Sequence, residues 1–355
     1  MKCKIMKTGI TSKDVAELAK VSQATVSYVL NNNQKQSISE ETRQKILDAA
    51  KKLNYIPNIA ARTLKNNKTS CISVAINKNL MTPRYSELVE GIRSILEDAN
   101  YNIMLCSNKK HISPFPNYLN SYLQQRADAI IYIGADGFPI EPESMDYIIK
   151  NQIPLVVFGY DPQNDTVPDV NIDYFYGAYD GTNHLINKGY KNFIYFRPSI
   201  NINQEIQREQ GIRKACKESI DVNLTIQSIS FPYFNEIDLL FSKKNNKDIW
   251  RAEFYNLVNS IIDNKSTNFA IICSWVYMTE IVSKLLLTKG LNIPVLSLAQ
   301  IDLFANNGEN FIFSTLPNYI AGQECAKAVL KLLDNPKDIS KIVLKPKIEL
   351  NNPIL

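Results

Sequence analysis

The chain has 355 residues, of which 45% are hydrophobic and 21% charged, and such a chain is expected to fold into two or three globular units. No run of roughly 20 apolar residues marks a membrane span, and the N-terminus lacks an apolar stretch of signal-peptide length, so we expect a cytoplasmic protein. The six cysteines form no CxxC pair, which argues against a zinc knuckle or a disulfide framework.

The net charge of +5 is divided unevenly along the chain. Residues 1–68 carry 13 Lys and Arg against 5 Asp and Glu, whereas the remainder carries 27 against 30. A small basic unit joined to a mildly acidic body indicates that the basic unit binds a polyanion. The alternative is a solvated basic face with no partner.

Three short helices are predicted at the start of the chain. Thr11, followed three residues later by Asp14, resembles a capping box at the start of the first helix. The second helix lies in "AKVSQATVSYVLNN", residues 19–32, which has one apolar face and one uncharged face rich in hydroxyl groups. Ser39 can cap the third helix. Because a tight turn separates the first two helices, the spacing indicates a helix-turn-helix arrangement.

The segment "YIPNIAARTLKNNKTS", residues 55–70, differs from the helices before it. Pro57 ends the preceding element, and the polar "NNKTS" is typical of a linker. The residues between them could form barely two helical turns. A helix that short is marginal in water and needs a packing partner to be stable.

Short apolar runs alternate with amphipathic stretches through the rest of the chain. Strands are predicted at 71–76, 102–106, 129–134, 154–158, 192–196, 270–273 and 294–299. Helices are predicted at 85–99, 178–188, 204–219, 277–289 and 320–333. This alternation favours two doubly wound parallel-sheet subdomains, in which a ligand binds beyond the carboxyl ends of the strands, in the cleft between the lobes.

The sequence contains no recognised catalytic motif. GxGxxG after a strand, GxxxxGK[ST], GxSxG and HExxH are all absent. Of the two histidines, His184 lies on a predicted amphipathic helix, a position that favours packing or capping over general-base chemistry. We therefore expect no enzyme, no metal site and no cofactor, although an activity carried by an unrecognised motif is an alternative.

The segment from Thr11 to Thr69 resembles the DNA-binding head and hinge of the lactose-repressor/galactose-repressor (LacI/GalR) family. The resemblance is carried by the helix-turn-helix, by "ETR…AA…LNYIPN" and by "AARTLK" at the family's spacings. Weaker similarity to the family's effector-binding core follows in "YSELVEGIRSILEDANYNIMLC", "NIDYFYGAYDGTNHLINKGYKNFIYF" and "AGQECAKAVLKLL". It implies an all-α helix-turn-helix head and an α/β core of two doubly wound parallel-sheet subdomains, like that of periplasmic binding proteins.

The implied boundaries are a head at 8–57, a hinge helix and linker at 58–69, and a core at 70–355. Within the core, the N-subdomain would cover about 70–166 and 314–336, and the C-subdomain about 167–313 and 337–355.

The resemblance also implies which residues contact DNA. Gln23, Ala24 and Tyr28 would face base edges, where Gln can pair with adenine and Ala can contact a thymine methyl group. Tyr28 departs from the basic residue common in the family, and it either reads a base or packs against a phosphate. Leu64 of the hinge would enter the minor groove as an apolar wedge that bends the duplex. The remaining implied contacts, to phosphates and around the hinge, would be made by Thr11, Ser22, Thr25, Ser27, Asn31, Tyr55, Asn58, Ala61, Arg62 and Lys65.

For the effector cleft, the resemblance implies Arg208, three residues before a glycine, and Asp302, near a strand end. Both could make charge-assisted hydrogen bonds to hydroxyl groups or ring heteroatoms. Ser274 and Trp275 replace the family's usual Asn-Asp pair, and Trp275 either stacks on a sugar ring or fills the core. Further cleft candidates are Asn77, Tyr85, Phe158 and Tyr176.

Together these features imply a dimeric, ligand-responsive regulator of transcription. It would repress genes of sugar uptake or catabolism, bind a near-palindromic operator in double-stranded DNA, and hold a sugar or sugar phosphate between its lobes. A nucleobase or a protein partner is the alternative effector. A free sugar-binding protein would share the core but lack the basic head.

Overall fold

A computed structural model describes residues 10–30, 37–56, 68–77, 80–110, 113–134, 137–230, 244–264, 268–299 and 311–350. The chain divides into two compact units, residues 1–69 and residues 70–355. Within the described ranges, no helix has both the length and the apolar character needed to cross a membrane.

The first unit is a small helical head. Its described helices are α1 (Ser12–Ala19), α2 (Gln23–Leu30) and α3 (Glu40–Lys52). One fully buried residue from each helix, Val15, Val26 and Ile46, lies at the centre of its core. The predicted start of α1 is present, because the Asp14 carboxylate accepts hydrogen bonds from the backbone N–H and the hydroxyl of Thr11, at 2.7 and 2.8 Å.

The second unit alternates strands and helices along the chain. In order, its described elements are β1 (Cys71–Ile76), α4 (Pro83–Asp98), β2 (Asn102–Cys106), α5 (Asn117–Leu123), β3 (Ala129–Ile133), α6 (Pro142–Lys150), β4 (Leu155–Phe158), β5 (Asp169–Ile172), α7 (Tyr174–Asn187), β6 (Asn192–Pro198), α8 (Asn203–Lys217), β7 (Asn223–Ile229), α9 (Lys244–Asn264), β8 (Ala270–Cys273), α10 (Val276–Lys289), β9 (Val295–Ser297), β10 (Phe311–Thr315), α11 (Asn318–Asp334), β11 (Lys341–Leu344) and β12 (Lys347–Leu350).

These strands form two six-stranded sheets, and each sheet defines one lobe. In the first lobe the order is β11-β5-β4-β3-β1-β2, with every neighbouring pair parallel. In the second lobe the order is β12-β10-β9-β8-β6-β7, and only β12 runs antiparallel to its neighbour. Each sheet is covered on both faces, because alternate residues of the same strand enter different apolar clusters.

Close helix pairs hold each lobe together. In the first lobe, a Cβ atom placed on Gly91 of α4 would lie 2.0 Å from the carbonyl oxygen of Tyr319, at the start of α11. A Cβ atom on Gly322 would lie equally close, 2.0 Å, to the carbonyl oxygen of Leu88. The two backbones therefore approach to a distance that only glycine allows at these positions.

The lobe boundaries differ from those expected. Residues 167–313 and 337–355 were expected in the second subdomain, but β5 and β11 pair with each other in the first sheet. Of the two final strands, only β12 belongs to the second sheet, where it pairs with β10. Boundaries were misplaced because lobe membership depends on pairing with a strand that is remote in sequence.

Candidate functional site

The predicted reading helix, α2, has one buried and one accessible side. Val26 and Val29 are buried in the head, whereas Ser22, Gln23 and Ala24 are exposed. Thr25, Ser27 and Tyr28 are half-buried, and Thr11 is exposed at the start of α1. The accessible side is therefore the uncharged polar face that the sequence predicted.

Hydrogen bonds orient the first turn of α2. The Gln23 side-chain amide donates to the Ser12 hydroxyl at 2.7 Å, which ties the start of α2 to the start of α1. The Ser22 hydroxyl accepts a hydrogen bond from the Thr25 backbone N–H at 3.1 Å and shares another with the Thr25 hydroxyl at 2.8 Å. The contact to Ser12, which sequence spacing did not suggest, restricts Gln23 before any ligand is bound.

Several predicted site residues lie outside the described residues. They are Asn31, Asn58, Ala61, Arg62, Leu64, Lys65 and Asp302. Tyr55 is described, and it packs half-buried against the core of the head.

A buried polar cluster lies at the carboxyl ends of strands in the second lobe. Arg208 of α8 is 1% exposed. Its guanidinium donates to the carbonyl and hydroxyl oxygens of Ser274, just after β8, at 3.0 and 3.1 Å. It also donates to the carbonyl oxygen of Leu298, just after β9, at 2.5 Å. Arg208 therefore links α8 to the ends of two parallel strands, the edge where ligands bind in such folds.

Glu205, one helical turn before Arg208, is the centre of this cluster and is 0% exposed. Its carboxylate accepts hydrogen bonds from Arg208 at 3.1 Å, the Ser274 hydroxyl at 2.6 Å and the Trp275 indole N–H at 3.1 Å. The Tyr195 hydroxyl donates to it at 3.4 Å. Burial, reinforced by the negative charge of Glu205, raises the pKa of Tyr195, so the phenol remains a neutral donor.

The cluster continues into the first lobe through Arg84. Its guanidinium donates to the Gln204 side-chain oxygen at 3.2 Å and to the Tyr174 hydroxyl at 2.7 Å. The centroid of the Tyr174 ring lies 5.9 Å from the Cζ atom of Arg84 and 5.3 Å from the Cζ atom of Arg208. We call Arg84, Tyr174, Gln204, Glu205, Arg208, Ser274 and Trp275 the interlobe cluster, since hydrogen bonds in it join α4 of the first lobe to α8 of the second.

The structure thus brings together Arg208, Ser274 and Trp275 of the predicted effector residues. It places Tyr85 and Phe158, 0% and 1% exposed, in the apolar core of the first lobe. Tyr176 packs its ring against Lys345, and Asn77 is exposed after β1. Their roles as effector contacts remain predictions, as do those of the described DNA-contacting residues.

Sequence reasoning missed Glu205, Arg84, Tyr174 and Gln204. The only local signal was the Glu-x-x-Arg spacing of Glu205 and Arg208, which puts both side chains on one helix face. Within the described parts of the chain, no group of His, Cys, Asp or Glu residues is arranged to hold a metal ion.

Comparison with known proteins places the chain in a family. Residues 11–58 match the family described as "Bacterial regulatory proteins, lacI family", and residues 70–228 match "Periplasmic binding proteins and sugar binding domain of LacI family". Catabolite control protein A of Staphylococcus xylosus is 36% identical over 186 residues, which is 52% of this chain and 55% of that protein. The match thus spans little more than half the length of that relative.

Two solved structures share the fold at lower sequence identity. A lac repressor dimer bound to operator and the anti-inducer ONPF has a TM-score of 0.72 and 17% identity, covering 98% of this chain and 100% of that one. The transcriptional regulator CelR in complex with cellobiose has a TM-score of 0.59 and 18% identity, covering 96% and 98%. With the helical head, the two-lobed α/β core and the two family matches in agreement, the chain belongs to the LacI family of bacterial regulatory proteins.

Proposed function

We propose that the protein is a ligand-responsive, DNA-binding regulator of transcription. The observation that carries the proposal is the exposed, uncharged polar face of α2, held by the Gln23–Ser12 hydrogen bond within a basic head. The excess positive charge would supply salt-dependent attraction to the phosphates. Side chains on α2 would then read base edges in the major groove.

The proposed mode of binding is a homodimer on a near-palindromic operator, with one head on each half-site. The similarity to a lac repressor dimer bound to operator supports this arrangement. A regulator of this kind acts in the cytoplasm, where the chromosome is, and needs no catalytic chemistry. Repression of genes for sugar uptake or catabolism is the proposed outcome.

The proposed effector is a sugar or sugar phosphate bound between the lobes. The match to a sugar-binding domain and the likeness to a regulator in complex with cellobiose support a sugar. Effector binding would change the relative angle of the lobes and, through the hinge, the affinity of the heads for DNA. A coupling of about 1–3 kcal/mol corresponds to roughly 5- to 150-fold in operator affinity.

A nucleobase or a protein partner remains the second candidate for the effector, because Ser274 and Trp275 depart from the pair usual in the family. To separate the candidates, the unfolding temperature of the purified protein is measured with a panel of sugars, sugar phosphates and nucleobases. The proposal expects a sugar to stabilise the protein and to change its affinity for DNA. Stabilisation by a nucleobase alone would contradict the sugar assignment, and stabilisation by nothing in the panel would favour a protein partner.

A further inference from the structure

The positive charge of Arg208 is already compensated inside the protein. Glu205 and Arg208 are 0% and 1% exposed, and their charged groups meet at 3.1 Å. The guanidinium donates three further hydrogen bonds, to the carbonyl and hydroxyl oxygens of Ser274 and to the carbonyl oxygen of Leu298. A guanidinium without an internal partner can pair strongly with a phosphate or carboxylate ligand, but this one is bound to the carboxylate of Glu205.

The same carboxylate fixes the orientation of an aromatic ring. The indole N–H of Trp275, a half-buried residue directly after Ser274, donates to Glu205 at 3.1 Å. The N–H edge of the ring is thereby held toward Glu205, and the indole also packs against the apolar cluster of the second lobe. A fixed aromatic face recognises the apolar face of a ring-shaped ligand without requiring charge on it.

We propose that Glu205 is a specificity-determining residue, which makes the Arg208 end of the cleft select an uncharged ring and reject phosphorylated or carboxylated ligands. The proposal rests on the proposed effector-binding function. It narrows the class of effector from a sugar or sugar phosphate to a neutral sugar. An anionic group brought to Arg208 would meet the buried negative charge of Glu205 in a medium that screens charge poorly. It would also have to displace acceptors that the protein itself provides.

The direct test removes the charge of Glu205 while keeping its shape. In Glu205→Gln, the amide oxygen can still accept a hydrogen bond, but Arg208 is left as a buried cation without its carboxylate. Thermal unfolding is followed in rising inorganic phosphate, with chloride at equal ionic strength as the reference. We expect half-maximal stabilisation of Glu205→Gln at a phosphate concentration at least about tenfold lower than for the wild type.

Two variants control this comparison. Glu218→Gln removes one carboxylate from the end of the same helix, where Glu218 is half exposed and contacts Lys214 and the Tyr179 hydroxyl, and it should respond to phosphate like the wild type. Glu205→Gln combined with Arg208→Gln removes both charges and should lose the gained response. If Glu205→Gln responds no more than Glu218→Gln, or if the double variant keeps the response, the proposal is wrong.

A second measurement uses the wild type and holds even if Glu205→Gln does not fold. Ribose is compared with ribose 5-phosphate, and galactose with galactose 6-phosphate, by the shift in unfolding temperature. We expect no phosphorylated sugar to stabilise the protein more than its neutral partner does. A larger shift with the phosphorylated sugar that disappears in Arg208→Gln overturns the proposal. The phosphate comparison needs no effector, so its result is independent of whether any sugar changes DNA binding.

Discussion

At the scale of single residues, Gln23 is the described side chain with the most specific predicted role. Its hydrogen bond to Ser12 joins the two helices of the helix-turn-helix and leaves the exposed amide restricted. A restricted side chain loses less conformational entropy when it binds. Gln23 is therefore suited to read a base edge.

Gln23→Ala should change which operator sequences are preferred. A lost bidentate contact is worth about 1–3 kcal/mol of discrimination at one base pair, whereas attraction to random DNA depends on the basic residues and should persist. The measurement is selection of bound sequences from a random pool by both proteins at one salt concentration. Ser12→Ala, which removes only the partner of Gln23, should weaken the same preference less. An unchanged selected sequence for Gln23→Ala would contradict the reading role.

His184 gives a prediction for the dependence of stability on pH. Burial, with the nearby charge of Lys188, lowers the pKa of His184 below its ordinary value of 6.5, while Asp180 opposes the shift. Below pH 6.5 the unfolded chain therefore binds a proton that the folded chain resists. Stability should fall as pH decreases from 6.5 through the lowered folded-state pKa.

The check is the free energy of unfolding in denaturant at about pH 7.5 and about pH 5.5, on either side of the ordinary histidine pKa. His184→Gln should lose less stability than the wild type over this interval, because glutamine does not titrate. His111→Gln, which replaces the chain's other histidine, is the control. The same loss in all three proteins would assign the pH dependence to other groups.

Glu205 shows why sequence reasoning identified only part of the cluster. In "NQEIQREQGIRK" the charged residues look like a solvated helix face, yet Gln204, Glu205 and Arg208 are buried. Their burial depends on the other lobe and on the ends of β8 and β9, which are far away in sequence. The family resemblance pointed to Arg208, but it could not supply the carboxylate that pairs with it.

At the scale of elements, the contact between α4 and α11 depends on two glycines. Replacing Gly322 by alanine places a methyl group against the α4 backbone at Leu88, and such overpacking costs about 1–3 kcal/mol or more. The control is Lys327→Ala, at an exposed residue of α11, and it should change the free energy of unfolding by no more than about 0.5 kcal/mol. Denaturant unfolding of both variants tests this, and equal stability would show that the helices separate at little cost.

A second prediction at this scale concerns Leu64 of the hinge, which lies outside the described residues. Leu64→Ala should weaken binding to the specific operator and leave binding to random DNA largely intact, because an apolar wedge acts only where the duplex is bent. Titrations of both DNAs at matched salt provide the measurement. An equal loss on both would mean that Leu64 is no wedge.

The sequence predicted most inner strands and the edge strand β2, but it missed β7, β11 and β12 at the edges and β5 and β10 inside the sheets. β1, β3, β4, β6 and β8 are mainly apolar, with almost every residue buried. By contrast, the edge strands β7, β11 and β12 consist of exposed and partly buried residues. Short runs of this kind resemble loops when read alone, and their place is set by the strand they join.

At the scale of the whole molecule, Arg84 connects the two lobes through Gln204 and Tyr174. If the angle between the lobes controls DNA binding by the heads, removing this connection should change the effect of the effector on operator affinity and leave the fold intact. We expect Arg84→Gln to keep its affinity for random DNA while the effector changes operator affinity by a different factor. Operator titrations with and without effector measure that factor, and an unchanged factor would exclude Arg84 from the coupling.

We propose that the head reads a specific DNA sequence under the control of the core. The most direct measurement is the affinity of the purified protein for its selected sequence and for random DNA, at one salt concentration, with and without the stabilising sugar. We predict a near-palindromic sequence bound at least about 10³-fold more tightly than random DNA, by a factor that the sugar changes. Equal affinity for both DNAs, unaffected by any ligand, would contradict sequence-specific, ligand-controlled binding.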